Sequence, residues 1–227
     1  MNTGRYTAIG VVLALFAWSH CLPAQDKLGK QDWPQFRGPN GDGISTETRW
    51  NPGALEGGAK ALWRAGVGEG WSSVTISGDK VFTMGWNDGN DTVYALNVSD
   101  GQAAWKHSYP SKKCDYTGPR ATPVTDGKVV YSLSHDGQMF CLAAGDGKVV
   151  WKKNIVSEFG ASPPRWNLAG SPVIHGDLLL VNAGENGMVL NRKTGEKVWT
   201  SGAGPGGHST PVVFKQGGEE CMAVFGQ

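Results

Sequence analysis

The chain has 227 residues, a formal net charge of +1 and 34 glycines. Its 21 basic side chains are balanced by 20 acidic ones, which excludes the basic footprint expected of a nucleic-acid binder. Glycine at roughly twice its usual ~7% share implies many tight turns, and therefore many short elements.

Residues 1–24 read as a secretory signal peptide. Arg5 supplies the positive n-region, Ala8 to Trp18 the apolar core, and Leu22-Pro23-Ala24 a cleavage site before Gln25. Export to the periplasm or the cell exterior is therefore expected. The apolar run falls short of the ~20 residues that span a bilayer, so no transmembrane segment is expected in the mature chain. Lipoprotein anchoring at Cys21 is disfavoured, because Trp18 and His20 stand where such signals carry small or aliphatic residues. Residues 25–60 form an N-terminal extended segment. Cys114, Cys141 and Cys221 remain after cleavage, an odd number without a CxxC pair. Cys141 falls in an apolar strand pattern and reads as a packed thiol rather than a metal ligand.

From residue 61 onward the chain repeats itself. Three segments align without gaps: Ala95 to Trp105, Cys141 to Trp151 and Val189 to Trp199. Gly101 and Trp105, Gly147 and Trp151, and Gly195 and Trp199 keep one separation. Trp63, Trp105, Trp151 and Trp199 recur at intervals of 42, 46 and 48 residues, which is the length of a four-stranded unit. A second landmark precedes each unit: Ser72-Ser73-Val74, Thr122-Pro123-Val124, Ser171-Pro172-Val173 and Thr210-Pro211-Val212. Proline lacks an amide donor and is tolerated at the first residue of a strand, so this landmark marks the innermost strand. Asp126-Gly127, Asp136-Gly137 and Asp146-Gly147 separate four short apolar runs within one period.

These features predict an all-β propeller of four-stranded antiparallel blades, with blades at about 64–105, 106–151 and 152–199 and a partial one at 200–227. Each tryptophan is expected to pack between neighbouring blades. The three aligned segments resemble the A-x-D-x-x-T-G-K-x-x-W repeat of pyrroloquinoline quinone (PQQ) type propellers. The first copy departs from it at Asn97 and Asp100. Trp33-Pro34-Gln35-Phe36-Arg37-Gly38-Pro39 resembles the N-terminal signature of exported bacterial propeller-repeat proteins of unassigned function. That superfamily includes quinoprotein alcohol dehydrogenases and the non-enzymatic propeller subunit of the outer-membrane protein assembly machinery. Its complete members close seven or eight blades, so the chain reads as a truncated arc expected to self-associate through open edges.

The resemblance implies protein partners for a non-catalytic, exported binding or assembly scaffold. The alternatives are a PQQ-dependent dehydrogenase using PQQ and calcium, or a sensory or ligand-binding domain of a larger chain. The family's dehydrogenases carry adjacent cysteines beside the cofactor, and this chain has none. No cofactor, catalytic residue or metal ligand is assignable from the residues. Gly202 to Gly207 satisfies G-x-G-x-x-G but opens no helix, and reads as an interblade loop. Gly207-His208-Ser209-Thr210-Pro211 departs from a nucleophile elbow at Pro211. Asn87 to Asp91 reads as a polar hairpin tip rather than a calcium loop. Ser134-His135-Asp136 is contiguous, so on a strand its side chains alternate faces and form no relay. Geometry instead favours the positions two residues before each landmark, Gly70, Arg120, Ala169 and His208, where loops converge on the channel mouth. Arg120 and His208 are the polar pair and the candidate ligand or cofactor contacts, with Trp71 and Trp166 nearby.

Overall fold

The computed structural model describes residues 32–48 and 51–226; the expected leader, including Cys21, lies outside the described residues. Period-2 alternation in short glycine-bounded runs yields three sheets of four strands. The first holds β1 (Thr75–Ser77), β2 (Lys80–Asn87), β3 (Asn90–Asn97) and β4 (Ala103–Pro110). The second holds β5 (Val124–Thr125), β6 (Val129–Leu133), β7 (Gln138–Ala143) and β8 (Val149–Asn154). The third holds β9 (Val173–His175), β10 (Leu178–Val181), β11 (Met188–Asn191) and β12 (Lys197–Thr200). A two-stranded sheet of β13 (Val212–Gln216) and β14 (Glu219–Ala223) follows. Each sheet is an antiparallel meander in chain order. The short inner strands β1, β5 and β9 approach one another in succession, as blades do around an axis.

The turns obey two rules. Asp88 and Gly89 both take positive φ (47° and 84°), making the two-residue hairpin between β2 and β3. At Asp126-Gly127, Asp136-Gly137 and Asp146-Gly147 only the glycine is left-handed. There the aspartate Oδ1 accepts from the amide two residues on, at 2.9, 3.3 and 3.1 Å.

Alternation along the middle strands buries both faces. Val130, Phe140 and Leu142 pack with Phe82, Met84, Val93 and Trp105 of the first sheet. Tyr131, Leu133, Met139 and Cys141 face Leu179, Val181, Met188 and Leu190 of the third. No sheet could bury both faces alone, so the blades stabilise one another.

The repeated tryptophan and glycine meet across this interface. Trp63, Trp105 and Trp151 donate from Nε1 to the carbonyls of Val98, Ala144 and Arg192, each in the turn before the outer strand of the following sheet, at 2.8, 2.8 and 2.9 Å. The indole then lies flat on that sheet's glycine: Trp63 on Gly101, Trp105 on Gly147, Trp151 on Gly195. Each glycine has φ between 70° and 74°, and a methyl group on Gly147 or Gly195 would sit 2.7 or 2.8 Å from the ring's Cε3. Trp105, Trp151 and Trp199 are third in their outer strands, which run on to Pro110, Asn154 and Thr200 rather than ending there.

A second ladder joins the inner strands. The Ser73 amide donates to Thr122 Oγ1 (3.2 Å), the Thr122 amide to Ser171 Oγ (2.8 Å) and the Ser171 amide to Thr210 Oγ1 (3.1 Å). Strand pairing agrees, since Ile76, Thr125 and Ile174 occupy matching places opposite Val81, Val130 and Leu179. The first landmark therefore centres on Ser73, one residue later than the sequence pattern suggests. The N-terminal segment adds to the same inner edges. Trp33 exchanges two backbone hydrogen bonds with Ile76, and the Pro34 carbonyl accepts from Thr125 at 2.9 Å. The Asp32 carboxylate holds the Ser77 hydroxyl and Gly78 amide at 3.1 and 2.9 Å.

Gly147→Ala forces a left-handed alanine into the Trp105 ring and should cost about 3 kcal/mol in urea unfolding. Gly145→Ala, with nothing within 4 Å of the added methyl, should stay within about 0.5 kcal/mol of wild type.

Candidate functional site

Outer strands return to the next inner strand through connections 111–123, 155–172 and 201–211, all on one face. The turns at 88–89 and 134–137 share that face, whereas the described strands are joined at the opposite face by short turns. Loops this long, placed by a rigid sheet array, are where binding residues concentrate.

Arg120 and His208 both lie on this face. Arg120 Nη2 donates to the carbonyls of Asp115 (2.7 Å) and Tyr116 (2.9 Å), with Cys114 Sγ at 3.9 Å, so it clamps its own connection. Its Nη1 is buried without a hydrogen bond. The His208 ring leans on Trp166 with centroids 5.9 Å apart, and its Nε2 is likewise buried and unpartnered. The guanidinium of Arg165 lies 5.3 Å over the Trp166 ring. With the first landmark at Ser73, the residue matching Arg120, Ala169 and His208 is Trp71, not Gly70. Trp71 is 66% exposed and meets the 62%-exposed Tyr116 edge-on at 6.5 Å. Gly70 runs behind it against Pro119, where a side chain would crowd the Pro119 carbonyl.

The remaining patterns resolve into structural roles. Gly206 and Gly207 are buried, and Asn182 ties their connection down: its Oδ1 accepts from the Gly207 amide at 3.0 Å. Asn182 Nδ2 donates to Ser209 Oγ (2.9 Å), which also accepts from the Phe225 amide (3.1 Å). The Ser209 hydroxyl is thus held by structure, with no base beside it in these bonds. Cys114, Cys141 and Cys221 are unpaired thiols. Burial pushes the Cys141 thiol up to about 11, as suits a packing residue.

One polar group was not legible in the sequence. Ser134 and His135 lie in the turn after β6 rather than on a strand, so both reach Asp91 of the first sheet. Ser134 Oγ donates to Asp91 Oδ2 at 2.5 Å, and His135 Nδ1 lies 3.9 Å from the same oxygen. Asp91 is wholly buried and its Oδ1 has no hydrogen bond. Burial raises the Asp91 pKa, against the lowering effects of the Ser134 and Ser111 hydroxyls, and drives the Tyr109 phenol well up. The serine bonds the carboxylate rather than the imidazole, so the trio joins two blades and does not form a nucleophilic relay. Among the described residues, no group of three or more His, Cys, Asp or Glu side chains is placed to hold a metal ion. Nor is any helix among them long and apolar enough to cross a membrane.

Four-stranded blades docked by a tryptophan on the next blade's glycine define a propeller of the PQQ-like repeat class. The profile of the family described as "Outer membrane protein assembly factor BamB" matches residues 89–225, and the chain belongs to that family. It is 28% identical over 176 residues to a tetrathionate hydrolase of Acidithiobacillus ferrooxidans, covering 69% of this chain and 34% of that protein. It is also 28% identical over 122 residues to a quinoprotein ethanol dehydrogenase of Pseudomonas putida, covering 53% of this chain and 18% of the other. The chain therefore spans about a third or less of the length of these relatives. The solved quinohemoprotein alcohol dehydrogenase from Comamonas testosteroni superposes with a TM-score of 0.56 at 17% identity, over 74% of this chain and 26% of that one. A europium-containing methanol dehydrogenase gives 0.55 at 17%, over 77% and 32%. At these identities the two structures establish the fold.

Because the Asp91 carboxyl titrates higher folded than unfolded, its contribution to stability is full below its unfolded value of about 4 and is lost as pH rises through the folded value. Asp91→Asn should therefore gain stability relative to wild type as pH is raised from about 4 to 7. Urea unfolding of both proteins across that range measures the difference.

Proposed function

We propose that this chain is part of an exported, non-catalytic propeller that serves as a binding or assembly scaffold through its connection face. The observation that carries this reading is what the face exposes. Trp71, Tyr116 and Trp166, 66%, 62% and 50% exposed, stand beside Arg120, Arg165 and His208. Aromatic and arginine side chains presented by loops on a rigid frame are the residue types that dominate recognition surfaces. Two of the polar groups are held by the fold, Arg120 through its Nη2 by its own loop and Ser209 by Asn182 and Phe225. The family description, an outer-membrane assembly factor, fits a protein partner and a periplasmic location.

A PQQ-dependent dehydrogenase is the second reading. It is favoured by the kinship with the Pseudomonas putida quinoprotein and by the unpartnered Nη1 of Arg120 and Nε2 of His208, two buried donors suited to a carboxylate or quinone oxygen. A sensory or ligand-binding domain of a larger chain would use the same face.

Titrating PQQ into the full-length protein, with and without calcium, separates these readings through tryptophan fluorescence. The scaffold reading expects no saturable quenching. Saturable quenching that is lost in Arg120→Ala would overturn it in favour of the quinoprotein.

A further inference from the structure

Two of the three connections on the connection face are anchored at one buried carboxylate. Asp91, the second residue of β3, is wholly buried and pairs across the sheet with Trp86 of β2 and Tyr109 of β4. Ser111 opens connection 111–123. Its amide donates to the Gly89 carbonyl at 2.9 Å, and its buried hydroxyl lies beside the Asp91 carboxylate and favours the charge. From across the interblade seam Ser134 Oγ donates to Asp91 Oδ2 at 2.5 Å, and the carbonyl of the next residue, His135, accepts the Leu168 amide at 3.1 Å. Leu168 is buried and fixes connection 155–172 two residues after Trp166. A single carboxylate thus ties the segment carrying Tyr116 and Arg120 to the segment carrying Arg165 and Trp166.

A charge on that carboxylate is costly for the closed seam. The Ser134 and Ser111 hydroxyls favour the ionised form, as does the charge of a protonated His135, whose Nδ1 lies 3.9 Å away, while Asp136 in the same turn opposes it. On β4, His107 packs on Tyr109 and is itself pushed down by burial, so it brings no charge at neutral pH. Lys112 and Lys113, which follow Ser111, are exposed. Removal from water outweighs the favourable contacts and raises the carboxyl above its ordinary value. An opening that lets water reach Asp91 removes this cost. Opening therefore releases a proton above about pH 4 and becomes easier as pH rises, until the closed form is ionised as well.

We propose that Asp91 is a pH-sensitive latch on the connection face: when neutral it holds connections 111–123 and 155–172 together across the seam, and its ionisation lets both loosen in one event. The latch concerns the frame of the face and holds whichever ligand the face takes. Connection 201–211 is tied by Asn182 instead, through the Gly207 amide at 3.0 Å, and lies outside the latch.

Amide hydrogen exchange of the full chain from pH 4 to 7, corrected for the intrinsic rate at each pH, tests the latch at Ser111 and Leu168, with Gly207 as the reference. Protection at Ser111 and Leu168 should fall together, by up to about tenfold per pH unit below the midpoint of the folded carboxyl, while Gly207 stays level. Asp91→Asn, which keeps the shape and cannot ionise, should flatten both profiles. If that variant does not fold, the carbon-13 shift of the Asp91 carboxyl in the wild-type protein supplies the check, because its midpoint must coincide with the pH at which the fall in protection ends. Level protection at Ser111 and Leu168, a fall at only one of them, an equal fall at Gly207, a slope that persists in Asp91→Asn, or a carboxyl midpoint displaced from the break in the profile would each overturn the proposal.

Discussion

The contact on which the rest of the structure depends is an indole laid on a glycine of the next blade. The indole N–H is satisfied by a neighbouring carbonyl, and the ring's flat face covers a backbone turn that no side chain could occupy. Two such joints, at Trp105 and Trp151, hold the three successive sheets in one relation, and a third, at Trp63, seats the preceding segment on the first sheet. The middle strands can then be apolar on both faces, because each face has a neighbour at a set distance.

The inner strands obey a complementary constraint. They are two or three residues long in the first three sheets, too short to fix their own spacing, and a relay of hydroxyls from Thr122, Ser171 and Thr210 spaces them instead. Proline after each of these hydroxyl residues removes an amide that would compete for them. Trp33 and Pro34 extend the arrangement by pairing with two different inner strands. With one face carrying short turns and the other carrying long connections, the sheets are free to satisfy packing while the connections vary.

The two kinds of residue that make the joint were legible in the sequence because each repeat keeps its own glycine and tryptophan at one separation, a signal that survives changes at Asn97 and Asp100; that they meet across neighbouring repeats was not. The Ser/Thr landmark was legible where proline marks it. It slipped by one residue at Ser72-Ser73, where two hydroxyl residues stand together without proline and only the partner Thr122 distinguishes them. That slip concealed Trp71 among the matched positions. The clamp made by Arg120 was unreadable because it grips backbone carbonyls, which leave no trace in residue identity. The group around Asp91 was unreadable for another reason: its partner Ser134 is 43 residues away and belongs to a different blade.

The joint also has a direction. Each repeat contributes an indole to the blade after it and a glycine to the blade before it, so the two halves of one joint are never in the same repeat but every repeat contains one of each. Copying a single repeat in the gene therefore inserts a blade that already fits on both sides, with no compensating change in its neighbours. Blade number is accordingly free to change by whole units, whereas losing either half at one position damages a boundary shared by two blades.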